Sequence, residues 1–231
     1  MANTDRVDIE RTLTAIFEAE RNLRHQSQTL LRAPHGAVLG QMRTAYEQAS
    51  RLEDEEEAAL RLVCLTRLLR TLPGPGAIDL LIDILGNDSE EARQGAGIVL
   101  EDVASDRMGE VRKGIERALK RLPKGSVALC ELPFVILGLS DADVFAMLRP
   151  FLSHEDPEAV AAAIEAYVEY ADPAAIELME PLVADARPIQ IEDESTGDAE
   201  EMKVGDLAAD AIEALREVES IMASEASAPA S

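Results

Sequence analysis

Few residues of this chain have the types and spacing that chemistry requires. Among its three histidines only His154 is followed by an acid, Glu155, and one such pair supplies too few ligands for a metal centre. Cys64 and Cys130 each lie within an apolar run, where a thiol usually behaves as a small buried hydrophobe. No glycine-rich phosphate loop follows a strand, and no nucleophile has a plausible base beside it. We therefore expect no enzyme activity, no metal and no cofactor.

Carboxylates are the abundant chemical group, and they are concentrated in the second half of the chain. The net charge is −23; residues 126 to 231 contain 24 Asp and Glu against four Lys and Arg, whereas residues 1 to 125 contain 21 against 18. Such a half repels nucleic acid and anionic membranes and attracts basic protein surfaces. We expect a protein partner with a basic surface. The acids expected to be exposed toward it are Asp143, Glu155, Asp156, Glu192, Asp193, Glu194 and Asp198.

One basic stripe is the exception to this acidity. It consists of Lys113, Arg117, Lys120, Arg121 and Lys124, which recur at helical spacing opposite an apolar stripe. The stripe is short, has no aromatic residues between its cations, and belongs to a chain with a pI of about 4.4. We therefore favour a solvated helix face and do not expect nucleic acid to bind. The remaining alternative is contact with an acidic partner or with the acidic half of a second copy, which would give a homodimer.

The stretch from 187 to 204 differs from the helix-forming sequence around it. Ile189 and Ile191 alternate with polar residues before an acidic segment, and Met202 does so after it, which predicts a small β-hairpin. The acidic segment lacks the ligand spacing of a calcium loop. Two interpretations stay open. The hairpin covers the open end of a helical stack with polar groups, which we favour, or it contacts a partner.

The rest of the sequence predicts helices. Apolar residues make up 47% of the chain and aromatic residues only 3%, a composition typical of helices packed through Leu, Ala, Ile and Val. Asp156-Pro157 and Asp172-Pro173 are helix starts, with an N-cap acceptor before a first-turn proline. A first helix is predicted at about 5–32, followed by pairs at 38–51 and 54–72, 76–85 and 89–104, 108–122 and 126–139, 142–152 and 157–170, and 173–185 and 204–222.

The chain also repeats itself. LLIDILGNDSEEARQGAGIVLEDVA (80–104) aligns with AMLRPFLSHEDPEAVAAAIEAYVEYA (146–171), and the 67-residue offset from Leu85 to Leu152 fits two repeats of about 33. A Leu-rich helix, an acidic turn and an Ala-rich helix in that order resemble HEAT repeats, in particular the short bacterial variety first associated with bilin lyases. The arginine frequent early in the second HEAT helix is matched by Arg93, but Val160 replaces it in the later unit.

The resemblance implies an all-α fold, an α-solenoid of about five HEAT-like helix pairs with a hairpin inserted in the last repeat. The expected parts are an N-terminal capping helix (1–36), the solenoid (37–222, with its insertion at 187–204) and a disordered tail (223–231). We expect a cytoplasmic, non-enzymatic protein-binding module, either an adaptor or an inhibitor or immunity-type factor. The alternative is a HEAT-type enzyme, similar to a bilin lyase or a DNA-repair glycosylase, that uses the stripe at 113–124.

Overall fold

A computed structural model describes residues 2–140, 143–192 and 199–226, and within them the chain is all-α with one small hairpin. The α-helices are α1 (Ala2–Leu31), α2 (His35–Ala49), α3 (Glu55–Leu69), α4 (Pro75–Leu85), α5 (Glu90–Arg121), α6 (Val127–Gly138), α7 (Val144–Leu148), α8 (Pro157–Tyr170), α9 (Ile176–Met179) and α10 (Val204–Ala226). Short 3-10 turns span Arg149–Ser153, Pro173–Ala175 and Glu180–Ala184, and the strands are β1 (Pro188–Glu192) and β2 (Ala199–Lys203).

The helices pack in successive pairs, as a helical repeat protein requires. Helix α5 bends at Arg107 (φ −136°, ψ 38°) and packs against both α4 and α6. The other pairs are α2 with α3, α7 and the 3-10 turn that continues it with α8, and α9 with α10. The second helices of the pairs, from α3 through α5, α6 and α8 to α10, each contact the next. This confirms the predicted all-α fold of packed helix pairs.

Two details differ from the predicted helix boundaries. The break expected between 104 and 108 is a bend within one helix, because no proline there removes a backbone donor. Conversely, the first helices of the last two pairs are short and continue as 3-10 turns. Each of these turns contains a proline near its start, Pro150 or Pro181, and a proline cannot donate the backbone hydrogen bond that continues an α-helix.

The core runs through the whole stack as one continuous cluster from Val38 to Leu215. The predicted apolar stripe of the second half of α5 is part of it: Val111, Ile115 and Ala118 are at most 3% exposed. Each pair buries its apolar face against its neighbours, which is how solenoids are stabilised.

Hydrogen bonds at the turns connect equivalent positions of neighbouring units. The Gly125 amide donates to Asp156 Oδ2 (2.7 Å), His154 Nε2 donates to the Leu119 carbonyl (3.0 Å), and Arg187 Nη1 donates to the His154 carbonyl (2.9 Å). These partners are 31, 35 and 33 residues apart, which agrees with the predicted repeat of about 33. His154 Nδ1 accepts from the Asp156 amide (3.1 Å), so both ring nitrogens have structural partners.

The predicted hairpin is present between the last pair's two helices. Strands β1 and β2 are antiparallel, with Ile189 opposite Met202. Ile189 is buried, and the Gln190 amide donates to Glu158 Oε1 of α8 (2.9 Å). At the base of the hairpin Arg187 pairs with Asp185 (2.6 Å), and this guanidinium lowers the pKa of the Asp185 carboxyl. The hairpin is thus attached to α8, and both interpretations of its role stay open.

The ends of the chain have their own features. Among residues 8–31 of α1, every side chain is exposed except Ser27 and Leu31, which are half-buried. The capping role of 1–36 stays a prediction.

At the other end α10 continues to Ala226, beyond the predicted helix end at 222, and residues 227–231 lie outside the described ranges. Within those ranges, none of the helices is apolar over a length that would cross a membrane.

Gly205, where α10 leaves the hairpin, provides a test of this packing. A Cβ there would lie 2.5 Å from the Val183 carbonyl oxygen and 2.9 Å from that of Asp185, and backbone cannot easily move away. We expect Gly205→Ala to lower the free energy of unfolding by roughly 1–3 kcal/mol in urea denaturation followed by circular dichroism. The control is Gly109→Ala in α5, where nothing lies within 4 Å, and a gain of about 0.5–1 kcal/mol is expected. Equal midpoints for the two variants would contradict the packing.

Candidate protein-binding surface

A groove between the first half of α5 and α6 combines exposed apolar and acidic side chains. It has a volume of about 460 Å³, and we call it the α5–α6 groove. Its lining includes Glu90, Arg93, Ile98, Glu101, Glu131 and Phe134. Both helices that form it are second helices of their pairs.

Two large apolar side chains of the groove are accessible to solvent. Ile98 is 66% exposed and Phe134 is 39% exposed. Each is on the opposite side of its helix from the buried residues, so packing of the core does not require it. Exposed apolar side chains bordered by polar ones are typical of protein interaction sites.

The groove is acidic, because its lining has three carboxylates and one guanidinium. Arg93 Nε pairs with Glu131 (3.1 Å), and Arg93 Nη1 donates to the carbonyls of Asn87 (3.0 Å) and Asp88 (2.9 Å). The single cation is therefore already occupied by contacts within the chain.

Two groove carboxylates, Glu90 and Glu101, are not neutralised in this way; Glu90 accepts from the Gln94 side-chain amide (3.1 Å), and Glu101 lies deeper between the two helices. Glu101 has no ion-pair partner within the described part of the chain. Its side chain lies against Gly138 of α6, where a Cβ would come within 2.6 Å of Oε1. Because Gly138 has no side chain, the Glu101 carboxylate fits between α5 and α6.

The acidic surface continues from the groove to α8. Cys130 on α6 is half-buried, and burial together with the charges of Asp156, Glu158, Glu131 and Glu165 raises the pKa of its thiol to about 12. The thiolate anion is therefore strongly disfavoured at Cys130.

The acids predicted from the sequence lie elsewhere. Asp143 is exposed, but its carboxylate accepts from the Ala146 amide (3.1 Å) as the N-cap of α7. Glu155 is exposed and pairs with Lys124 (3.4 Å). Glu192 is the last residue of β1, and no predicted acid lines the α5–α6 groove. The remaining three, Asp193, Glu194 and Asp198, lie outside the described residues.

Asp156 corrects the expectation that all seven acids are exposed. Asp156 is only 3% exposed, because its carboxylate points into the turn between neighbouring units. There it accepts from the amides of Gly125 (2.7 Å) and Glu158 (3.2 Å). Asp156 is therefore a structural residue, and its carboxylate is not available to a partner.

The basic stripe is on the side of the first helices, and most of its charge is neutralised there. Arg117 pairs with Asp79 (2.7 Å) and Arg121 pairs with Asp83 (2.6 Å), both of which belong to α4. Lys124 pairs with Glu155, as described above. Lys113 and Lys120 are the two cations of the stripe without an ion pair among the described residues. The stripe is a network between adjacent units more than a free basic surface.

Sequence reasoning did not single out the groove residues. The sequence could have indicated Ile98, because helical spacing places this apolar residue on the polar face of its helix, opposite the buried residues 96, 99 and 100. The sequence could not have indicated Phe134, because it lies in a continuous apolar run in which periodicity does not distinguish the buried face of the helix from the exposed one. In the described ranges no group of three His, Cys, Asp or Glu residues could hold a metal ion.

The buried carboxylate of Asp156 leads to a prediction about stability. We expect Asp156→Ala to lower the free energy of unfolding by about 3 kcal/mol, because two amides lose a charged acceptor. Asp143→Ala is the matched control, since it removes an exposed N-cap with one such bond and should cost about 1 kcal/mol. Urea denaturation measures both, and equal losses would contradict the structural role of Asp156.

The thiol of Cys130 leads to a second prediction. In a Cys64→Ser variant at pH 8, we expect iodoacetamide to react with native Cys130 at least about a hundredfold more slowly than with the urea-unfolded chain. Because burial raises the pKa, the native rate should rise about tenfold per pH unit up to pH 10, whereas the unfolded rate levels off above its ordinary pKa. A native rate that levels off near pH 9 would contradict this.

Comparison with known proteins adds little to this description. No protein-family model matches the sequence, and no curated protein matches it. One solved structure is similar, a crystal structure of an engineered protein from a structural genomics consortium, with 17% sequence identity. The match covers 85% of this chain and 97% of that one, with a TM-score of 0.31. A likeness at that level supports no conclusion about fold or function.

Proposed function

We propose that this chain is a non-enzymatic protein-binding module, an adaptor or an inhibitor or immunity-type factor, that holds its partner in the α5–α6 groove. The observation that carries the proposal is the exposure of Ile98 and Phe134 beside the carboxylate of Glu101, which no cation of the described residues neutralises. The partner that fits has an apolar side chain to insert between these two residues and basic side chains around it.

The two parts of this surface have different energetic roles. An apolar side chain buried at the centre of an interface contributes most of the affinity, because it is fully removed from water. Carboxylates around it mainly increase the association rate and reject acidic proteins. The excess of acids in residues 126 to 231 extends this attraction over the surface, and salt should weaken it.

We also propose that the helix pairs are HEAT-like repeats. The support is the spacing of 31 to 35 residues between hydrogen-bonded turn positions, together with the contacts of Arg93. Arg93 is early in the second helix of its pair, where HEAT repeats frequently have an arginine, and it donates to two carbonyls of the preceding turn.

The enzyme alternative, similar to a bilin lyase or a DNA-repair glycosylase, has less support. It depends on the basic stripe as a surface for an anionic substrate. Arg117, Arg121 and Lys124 all pair with carboxylates of this chain, so only part of the stripe could attract a phosphate backbone.

Affinity capture from native cell lysate tests the proposal, with full-length protein as bait at low and at high salt. We expect wild type to retain a protein with a basic surface that elutes with salt. Phe134→Ala and Glu101→Lys should each reduce its recovery at least about tenfold, because they remove the apolar contact and the free carboxylate.

Two matched controls decide the result. Leu60→Ala removes another exposed apolar side chain, on α3, and Glu213→Lys reverses another exposed acid, on α10. Both should retain the protein at wild-type levels. Equal recovery with Phe134→Ala and Leu60→Ala would overturn the groove as the contact surface, and recovery of nucleic acid in place of protein would favour the enzyme alternative.

A further inference from the structure

Helix α1 presents an apolar face that the rest of the described chain does not cover. Its large apolar side chains are exposed by 37% to 62%; they are Ile9, Leu13, Ile16, Phe17, Leu23 and Leu30. A helix of 30 residues in water is ordinarily stabilised by packing such a face against something. We therefore expect this apolar face to pack against another surface.

The spacing of these residues specifies what kind of occupant fits. Ile9, Ile16, Leu23 and Leu30 follow one another at steps of seven residues, and Leu13 lies between the first two at a spacing of four and three. That is the repeat by which one helix packs along another in a coiled coil. The matching surface is therefore a second amphipathic helix of similar length.

The charges of α1 indicate that the second helix is another copy of α1, in antiparallel orientation. Residues 2–18 contain four acids and two arginines, a net charge of −2, whereas residues 19–31 contain one acid and two arginines, a net charge of +1. A parallel pair would place like charges together. An antiparallel pair places the acidic half of each helix against the basic half of the other.

One antiparallel register brings three of these pairs close together. With the two-fold axis between residues 17 and 18, Leu13 lies within one residue of the level of Leu23 of the second copy, and Phe17 lies next to its own counterpart. Glu10 then lies beside Arg24 of the second copy. Within the described part of one chain, Arg24 pairs only with Glu20, four residues earlier on the exposed surface, a contact of small energetic value.

The surroundings of α1 leave room for side chains of this second helix. The apolar face of its second half looks onto a cleft of about 580 Å³, with Leu23 on one side and Ile98, Arg67 and Arg70 of the stack on the other. Arg67 has no ion-pair partner in the described part of the chain. In the antiparallel pair the acidic first half of the other α1 runs along this cleft, toward Arg67.

We propose that two copies of this chain associate through antiparallel pairing of their α1 helices. The contact is distinct from the basic stripe and the acidic half, the surfaces through which the sequence suggested a homodimer. Ile98 lines both this cleft and the α5–α6 groove, so the two proposals share that residue, whereas Phe134 and Glu101 do not line the cleft and distinguish the groove from the α1 contact.

Sedimentation equilibrium of the full-length chain tests the pairing. We expect wild type to show twice the 25.0 kDa of one chain at micromolar concentration. Ile16→Glu with Leu23→Glu should raise the dimer dissociation constant at least about a hundredfold, because two apolar contacts of each helix are lost. The control, Ala15→Glu with Asn22→Glu, adds the same charge to each half of α1 on its opposite face and should leave the dimer intact.

A charge exchange tests the orientation. Glu10→Arg alone should weaken the dimer, and Glu10→Arg combined with Arg24→Glu should restore it, which a parallel pair would not do. A monomeric wild type would overturn the proposal. So would a dimer that survives Ile16→Glu with Leu23→Glu, or one that the opposite-face control dissociates equally. Circular dichroism of each variant establishes that its helices are retained, so that loss of the dimer is not loss of the fold.

Discussion

Within the described residues, the helices bury their apolar side chains inside each pair and against the pairs before and after it. The residues at these contacts are small or aliphatic; Ala96, Ala159 and Ala163, for example, are fully buried and allow the helices to approach closely. With 3% aromatic residues, the core depends on many such contacts between neighbours and not on a few large side chains. The continuity of the stack follows from this dependence, since no pair has another place to bury its apolar face.

The turns keep the stacked pairs in register. His154 and Asp156, adjacent to one turn, bond to atoms of the preceding unit, and Arg187 of the following unit bonds back to His154. These bonds are directional, whereas apolar packing is not, so they select one alignment of neighbouring pairs among those that packing alone would permit. Polar groups that look chemically active in the sequence are thereby used for structure.

The two sides of the stack differ in how their charges are used. On the side of the first helices, Arg117 and Arg121 neutralise aspartates of α4, and the surface holds adjacent units together. On the side of the second helices, Glu101 has no ion-pair partner among the described residues, and Ile98 and Phe134 are exposed beside it. The proposed binding surface rests on these apolar side chains and on this carboxylate.

The sequence by itself determined the helices, the repeat length and the hairpin, because apolar spacing and N-caps such as Asp156-Pro157 act over a few residues. Only the tertiary structure decided which side chains are free. The Asp156 carboxylate is buried where it accepts from the Gly125 amide, 31 residues away. Ile98 and Phe134 line one groove because α5 and α6 pack together. Contacts between such distant residues depend on how the helices stack, and local patterns do not contain that information.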